Sequence, residues 1–505
     1  MNIAIRVDAS LKIGTGHFMR CLALADALKD RGSNVRFISR SLPQYLQDIL
    51  IEKGYEFRML KGKSADQLID DLLHAHWLSA SQNHDALQTI DVLSDRFFDW
   101  LIVDHYALDV RWEQVLRKTV KNILVIDDIA DRQHDCDLLL DQNFYTDKEN
   151  RYFDKVPEHC KLMLGPRYAL LRNEFSQWRQ QIKPRIGPVK RILVFFGGVD
   201  ADNYTGQTIA VLADLGISGV AIDVVIGAQH PFRELIESSC VEHSFNCYVQ
   251  TNRIADLIAK ADLAIGAGGS AIWERCCLGL PTFVMCTADN QKQQISDAAS
   301  EGLLYAPNIN ENLKNWMKSH LCSLIENTNL RQFISNNSLH LVDGFGIRRV
   351  LRNMGCSGIE IRIAKEGDSE HIFTWRNHQT VRAVSRSTEL ITWEDHQLWF
   401  EKALSSPDKV LLIGHSNGLP VGVVRFDRKV NEAEVSIYLI PGTKEYGVGG
   451  DLLQSAEHWL SSHYPEIGKI LACVQGGNVR SNHLFLGAGY QVKSTSYIKE
   501  LAAND

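Results

Sequence analysis

Ile13-Gly14-Thr15-Gly16-His17-Phe18-Met19-Arg20-Cys21-Leu22-Ala23-Leu24-Ala25 follows the short apolar run Ile3-Ala4-Ile5-Arg6-Val7-Asp8. The run reads as a first parallel strand, and Leu22, Leu24, Ala25 and Leu28 continue the stretch as an amphipathic helix. A strand, a glycine turn and a helix start bring backbone N–H groups and the positive end of a helix dipole toward an anionic ligand. His17 stands where that helix begins, so its imidazole is expected to face the same cleft and to serve proton transfer on a phosphorylated substrate. A nucleotide-binding turn with an incidental histidine fits the same letters.

Around this turn, residues 1 to about 175 alternate apolar runs with amphipathic segments. Ile3–Val7, Val35–Ile38, Trp100–Asp104, Asn122–Asp127 and Asp137–Leu140 read as buried strands of a doubly wound parallel sheet. Ligands of such sheets gather at the carboxyl ends of the strands, which places Asp8, Asp104, Asp127 and Asp128 near one crevice. Lys183-Pro184-Arg185-Ile186-Gly187-Pro188-Val189-Lys190-Arg191 is basic, broken by prolines, and reads as a linker. A second α/β unit opens with Arg191–Phe196 and continues through Ile222–Ile226, Ala261–Ile265 and Thr282–Met285, with a helix from about Ala271 to Leu278. After the polar break Gly355-Cys356-Ser357-Gly358 the pattern changes. Ile359–Ile363, Val410–His415 and Val421–Arg425 read as antiparallel strands, the last two joined at Ser416-Asn417-Gly418. The expected division is 1–182, 190–353 and 358–505.

A chain of 505 residues is too long for one ordinary core. Its 45% hydrophobic and 23% charged content is that of a globular protein, and a net charge of −7 with no long basic run excludes a general nucleic-acid binder. Eleven cysteines without CxxC spacing argue against a zinc site and suit reduced thiols, so no metal is expected. No signal peptide is read at the N-terminus, and no apolar run approaches the ~20 residues of a membrane helix. The expectation is a cytoplasmic protein without a membrane partner.

Asp262-Leu263-Ala264-Ile265-Gly266-Ala267-Gly268-Gly269-Ser270-Ala271-Ile272-Trp273-Glu274 is a strand, a glycine loop and a helix start. Its glycines allow close backbone approach, Ser270 is placed to cap the helix and donate to phosphate, and Glu274 lies one turn on, where it suits ribose hydroxyls. Asn290 and Gln291 stand within reach of sugar hydroxyls or a phosphate. Tight helix–strand packing is the plainer reading of the glycines alone.

The pattern resembles the nucleotide-diphosphate site of two-domain GT-B glycosyltransferases. Residues 1 to about 350 are more similar still to the UDP-2,4-diacetamido-2,4,6-trideoxy-β-L-altropyranose hydrolases of pseudaminic acid biosynthesis. The matching pieces run in order: Arg6–Ser10, Ile13–Cys21, Val103-Asp104-His105-Tyr106, Val125–Asp128 with Asp131-Arg132, Leu164–Arg172, Phe196-Gly197-Gly198 with Asp200, and Ala267–Ser270 with Glu274 and Asn290-Gln291. The resemblance implies a GT-B arrangement of two Rossmann-like domains in which His17 activates water, assisted by Tyr106. It also implies that Gly14, Gly16, Arg20, Gly198, Gly268, Gly269, Ser270, Glu274, Asn290 and Gln291 bind the UDP-sugar. The chemistry is coherent: a diphosphate leaving group needs electrostatic support rather than a proton, whereas the incoming water needs a base. Attack opposite the nucleotide inverts the anomeric centre. Asp8 and Asp104 are further orienting groups, although an aspartate after a strand more often caps a turn.

In the last unit, Pro441-Gly442-Thr443-Lys444-Glu445-Tyr446-Gly447-Val448-Gly449-Gly450-Asp451 lies between the strand Ala433–Ile440 and the helix Asp451–Leu460. It resembles the pyrophosphate loop of the GNAT acetyltransferase superfamily, with Lys444 where glutamine or arginine is usual. Asn478–Phe485 and Gly487-Ala488-Gly489-Tyr490 extend the resemblance, and Phe485 falls where a tyrosine acid often stands. The resemblance implies acetyl-CoA as co-substrate, held by Leu439, Lys444, Tyr446, Gly447, Val448, Gly449, Gly450 and Asn478. Glu434 is the general-base residue expected there, and a solvated strand position is its plainer reading. Trp375, Arg376, Arg382, His396 and Trp399 resemble the acceptor side of the nucleotide-sugar acetyltransferase of the same pathway, where aromatic and arginine side chains hold uracil and phosphate. Packing is the alternative for Trp375 and Trp399.

Together these readings give a bifunctional enzyme acting on UDP-linked amino sugars: N-acetylation of a 4-amino group, then hydrolysis of the diacetamido product. A glycosyltransferase with an appended protein or small-molecule acetyltransferase is a second reading. A non-catalytic nucleotide-sugar sensor is a third.

Overall fold

Apolar runs that end in polar residues become parallel strands, since a strand covered by helices on both faces needs nearly continuous hydrophobicity. In a computed structural model describing residues 1–10, 12–62, 70–308, 312–356, 358–385, 387–416, 418–443, 447–475 and 477–494, the chain divides into two compact units, Met1–Asn353 and Met354–Asp505.

The first unit holds two parallel sheets. β1 (Asn2–Val7), β2 (Asn34–Ser39), β3 (Glu56–Met59), β4 (Phe98–Asp104), β5 (Val120–Ile126), β6 (Leu138–Asp141) and β7 (Lys161–Leu164) pair in the order 3-2-1-4-5-6-7. β8 (Arg191–Phe195), β9 (Ala221–Ile226), β10 (Asn246–Val249), β11 (Leu263–Ala267) and β12 (Thr282–Met285) pair in the order 10-9-8-11-12. Each order reverses beside its first strand, between β1 and β4 and between β8 and β11, and such a reversal opens a ligand crevice at the carboxyl ends. Two Rossmann-like sheets flanking a cleft make the α/β, GT-B-like architecture expected from the sequence.

Buried side chains tie the halves together. The Trp273 indole, fully buried, donates to Asn143 Oδ1 at 3.0 Å, and the Thr146 amide donates to Asp297 Oδ2 at 2.9 Å. The segment read as a linker is anchored rather than loose: Arg185 donates to the carbonyls of Ile258 and Ala259. The helix Gly346–Asn353 returns to the first half, where Arg349 donates to the Arg167 carbonyl. A Cβ at Gly346 would meet the Ala169 carbonyl oxygen at 2.1 Å, so only glycine allows that approach.

In the second unit, β13 (Glu360–Ile363), β14 (Lys409–Ser416), β15 (Leu419–Lys429), β16 (Glu432–Leu439) and β17 (Lys469–Ala472) pair in sequence order. The first three pairings are antiparallel and the last is parallel. The β16–β17 pairing runs from Glu432↔Lys469 to Val435↔Ala472 and stops, so Ser436–Leu439 leaves its neighbour and the sheet splits. The helix after the glycine loop starts at Val448 rather than Asp451 and runs to His463. Gly447, at φ +82°, is its N-cap and makes the sharp entry that a side chain would strain. Among the described residues no helix is long and apolar enough to cross a membrane, and no group of three or more His, Cys, Asp or Glu is arranged to hold a metal ion.

Candidate active sites

The helix Gly16–Lys29 begins immediately after the glycine turn, and helical spacing decides what each of its first residues faces. Gly16, Met19 and Arg20, at i, i+3 and i+4, line a cavity of about 490 Å3 between the two sheets. His17, whose imidazole was expected to face the same cleft, is rotated one position away and is not among the lining residues. It flanks the cavity beside Gly16, with its side chain 11% exposed.

The ring of His17 is held at the crevice between β1 and β4. Its Nδ1 lies 2.6 Å from Asp104 Oδ1 at the end of β4. Arg20 grips the same carboxylate with Nε at 2.7 Å and Nη2 at 2.7 Å, and reaches Asp128 Oδ2 with Nη1 at 2.5 Å. Burial acts to raise the Asp104 carboxyl, yet Arg20 and His17 hold it well below the usual carboxylate range. A carboxylate so firmly ionised accepts a hydrogen bond from Nδ1–H, which leaves the Nε2 lone pair on the other side of the ring.

Asp104, rather than Tyr106, holds the hydrogen bond to the His17 ring. Tyr106 packs its ring edge-on to His17 at 4.7 Å between centroids and donates its hydroxyl to Asp128 Oδ2 at 2.9 Å. Its phenol is buried, lies outside the cavity lining, and is pushed well above its usual range by burial and by Asp128. Asp8 is also structural: it pairs with Arg6 and His105 and accepts the backbone N–H of Arg40 at 2.7 Å. Trp77 stacks on Tyr106 at 5.5 Å and closes the aromatic side of His17.

Three glycine-bearing loops meet at the cavity. Gly14, at φ +78°, folds back so that its N–H reaches the Ser10 carbonyl at 2.8 Å. A Cβ on Gly16 would lie 3.6 Å from Ser270 Oγ, and one on Gly198 3.7 Å from Thr15 Oγ1. Gly14, Gly16, Arg20, Gly198, Gly269, Ser270, Glu274 and Gln291 all line it. Ser270 makes no capping bond to the helix Ala271–Cys277, because its helical backbone angles turn the hydroxyl across the cleft instead. Asn290 is exposed and off the cavity, on the outer side of the turn Asp289–Gln291. Gly268 sits behind the lining, where a Cβ would meet Ile295 Cδ1 at 2.2 Å. Burial pushes the Glu274 carboxyl upward against the pull of Arg172, whose Nη2 is 3.7 Å away. The sequence reading missed Gln294, which donates to the Gly268 carbonyl at 3.2 Å and fixes the loop from behind.

The split between β16 and β17 opens a second cavity, of about 390 Å3, lined by Glu434 to Tyr438 on one side and Cys473 to Gln475 with Asn478 on the other. Arg376, His396, Trp399 and Phe485 complete much of the rest. Glu434 thus lines the cavity. Asn478 lines it while capping the helix Val479–Gly487 through the Ser481 amide at 3.1 Å. Gly447, Val448, Gly449 and Gly450 form the entry to their helix, and Val448 is buried. Leu439 packs in the core beside Gly449 rather than lining the cavity. Lys444 and Tyr446 lie outside the described residues.

Arg382 and Trp375 are not lining residues. Arg382 is spent on the carbonyls of Asn377 at 3.0 Å and Thr388 at 2.6 Å, and Trp375 stacks on His371. His396 is buried among Phe373, Trp393, Trp399 and Phe400, with Nε2 on the Ser369 carbonyl at 2.9 Å. Tyr438 is a lining residue that went unread in the sequence. Tyr438 Oη is buried with no hydrogen-bond partner, as is Arg376 Nη1, and burial raises the Tyr438 phenol.

No family model matches the chain. An uncharacterised protein of Methanocaldococcus jannaschii is 25% identical over 97% of each chain. The UDP-2,4-diacetamido-2,4,6-trideoxy-β-L-altropyranose hydrolase of Campylobacter jejuni is 26% identical over 60% of this chain and 97% of its own. The spore coat polysaccharide biosynthesis protein SpsG of Bacillus subtilis is 24% identical over 69% of this chain and 96% of its own. Among solved structures, MurG of Acinetobacter baumannii aligns over 70% of this chain and 99% of its own, with 14% identity and a TM-score of 0.47. Spermidine N-acetyltransferase of Vibrio cholerae, in complex with CoA and spermine, aligns over 29% of this chain and 89% of its own, with 18% identity and a TM-score of 0.26. The chain is thus related in sequence to a UDP-sugar hydrolase and to a polysaccharide biosynthesis protein.

Proposed function

We propose that the unit Met1–Asn353 hydrolyses UDP-2,4-diacetamido-2,4,6-trideoxy-β-L-altropyranose to UDP and the free sugar. The observation that carries this reading is the His17–Asp104 pair beside a cavity walled by three glycine-bearing loops. The neutral ring takes a proton from water through Nε2 as the water oxygen bonds to the anomeric carbon. The bond from that carbon to the diphosphate oxygen breaks, and its electron pair leaves with UDP. Asp104 stabilises the imidazolium that forms, and Arg20 keeps Asp104 ionised for that purpose. Glu274 accepts the ribose hydroxyls, while backbone N–H groups of the glycine loops face the diphosphate. The relation to a hydrolase acting on this sugar nucleotide supports the choice of substrate.

We assign to the unit Met354–Asp505 the acetylation of the 4-amino group of the precursor UDP-sugar. The gap between β16 and β17, and the helix that starts after Gly447, fit an extended thioester carrier with a diphosphate. Bound acetyl-CoA supplies the acyl group as a thioester. Glu434 takes the proton released by the attacking amine, and Tyr438, in the absence of a tyrosine at 485, returns one to the departing sulfur. Arg376 holds the acceptor's phosphate.

Incubating the whole protein with the diacetamido UDP-sugar in water alone tests the first assignment. Free UDP and reducing sugar are expected. Turnover that requires a second sugar or lipid acceptor would mark a glycosyltransferase, and binding without turnover a sensor.

A further inference from the structure

Six arginines among the described residues are buried: Arg6, Arg20, Arg36, Arg132, Arg275 and Arg331. Arg6, Arg20, Arg36 and Arg132 face carboxylates. Arg331 is surrounded by carbonyls, donating to those of Leu324, Ile325 and Gly187. Arg275 has neither arrangement. It is 2% exposed, its Nη2 donates to the Ala267 carbonyl at 2.6 Å, and its Nε and Nη1 have no hydrogen-bond partner. Glu274 acts on it only at a distance, with no direct ion pair, and a buried cation so weakly compensated is costly; replacing it by an apolar side chain of similar size is expected to be neutral or stabilising. Its retention needs a reason outside the free protein.

Its position supplies one. A Cβ on Gly266 would lie 2.4 Å from Arg275 Nη1 and 2.1 Å from the Phe195 carbonyl oxygen. The guanidinium therefore sits at the carboxyl ends of β8 and β11, where this sheet reverses its strand order and where ligands of such sheets bind. Ala267, whose carbonyl it holds, lines the large cavity. In a trans peptide the C=O and the following N–H point in opposite directions. Arg275 on the Ala267 carbonyl and Gln294 on the Gly268 carbonyl thus turn the N–H groups of Gly268 and Gly269 away from themselves. Successive amides aimed one way form a seat for an anion. Burial draws the Arg275 guanidinium down to about 10, which leaves it charged at neutral pH.

We infer that Arg275 is a positioning residue for a diphosphate: it orients the glycine-loop amides from behind and supplies the buried positive charge that a bound diphosphate neutralises. The inference rests on the nucleotide-diphosphate reading of this cavity. It differs from the role given to Glu274, which acts on the nucleoside.

The test is calorimetric titration of the full chain with UDP, uridine and inorganic pyrophosphate, for wild type and Arg275→Met, with thermal melts of the free proteins. Arg275→Met is expected to melt no lower than wild type, to bind uridine equally, and to lose ~10-fold or more in affinity for UDP and pyrophosphate. If the variant does not fold, Arg275→Gln, which keeps a donor for Ala267 but no charge, is expected to lose the same preference for UDP over uridine. A wild-type ratio of UDP to uridine affinity in either variant overturns the inference. A wild-type protein that binds UDP no better than uridine instead fails the diphosphate reading itself, and this inference with it.

Discussion

Beside His17, Arg20 holds two carboxylates and Tyr106 shares one of them, so the groups around the proposed base are already paired before any substrate arrives. In the C-terminal unit, Arg376 Nη1 and Tyr438 Oη are buried at a cavity without a hydrogen-bond partner. The difference follows from the folds. In the first half, β1 and β4 are neighbours at the strand-order reversal, and the helix after β1 carries His17, Arg20 and Cys21 on one side over Asp104. In the second unit a sheet comes apart after Val435, exposing strand positions that a neighbouring strand would otherwise cover. Around His17 ion pairs within the protein hold the side chains, whereas at the second cavity two buried polar atoms have no such partner.

The sharpest break in that comparison comes from the paired site. His17→Asn is expected to lower UDP-sugar hydrolysis by ~10²–10⁴-fold while leaving UDP affinity nearly intact, read from steady-state UDP release and titration. Asp104→Asn should approach the same loss, because an amide offers Nδ1 a donor and selects the wrong tautomer. A slow Asp104→Asn with a fully active His17→Asn would move the base elsewhere. In the unpaired site, Tyr438→Phe should lower acetyl transfer by about 10²-fold, measured as CoA thiol release, and steepen the loss at high pH if a second donor takes over. Unchanged CoA release would leave Tyr438 as a wall of the cavity.

A smaller effect sharpens the assignment of the nucleoside. Glu274→Ala is expected to weaken uridine and UDP alike, by ~1–3 kcal/mol, as loss of charge-assisted hydrogen bonds predicts. Equal affinity for uridine before and after the change places the ribose elsewhere. The least effect on turnover is expected from Asp141→Asn, next to the paired cluster but outside the cavity. Burial, with Asp128 and Asp127 nearby, pushes the Asp141 carboxyl up to about 8. The folded protein therefore keeps a proton that the unfolded chain releases, and this contribution to stability, full at acid pH, is lost as pH rises through about 8. Melting temperature should fall across that range less steeply in Asp141→Asn than in wild type. Identical slopes would show that Asp141 carries no such proton.

How much of this was legible in the sequence depended on where an element lies in its sheet. The central strands announced themselves as near-continuous apolar runs, but β3, β7, β10 and β17 did not; all four are edge strands, though the edge strands β12 and β13 were legible. Glu56-Phe57-Arg58-Met59 shows why: an edge has less to bury and carries charge, so the apolar signal shrinks. The glycine loops and Glu274 were readable because close approach restricts residue type locally. The partner of His17 was legible only as one of three candidates, Asp8, Asp104 and Tyr106, since Asp104 is one of several aspartates at strand ends and 87 residues separate the pair. Only the strand order selects it. Arg382, Trp375 and Asn290 had the right chemistry for a site, yet their bonds and exposure are set by neighbours that no local spacing reveals.

The central claim is that a water molecule activated at His17 attacks the anomeric carbon opposite the nucleotide. Hydrolysis of the diacetamido UDP-sugar by the whole protein in ¹⁸O-labelled water, followed by mass spectrometry of both products and by NMR of the first-formed anomer, tests it most directly. The account predicts the label in the sugar's anomeric hydroxyl, none in UDP, and an inverted configuration before mutarotation. Label in the UDP phosphate, or a retained configuration, would contradict it.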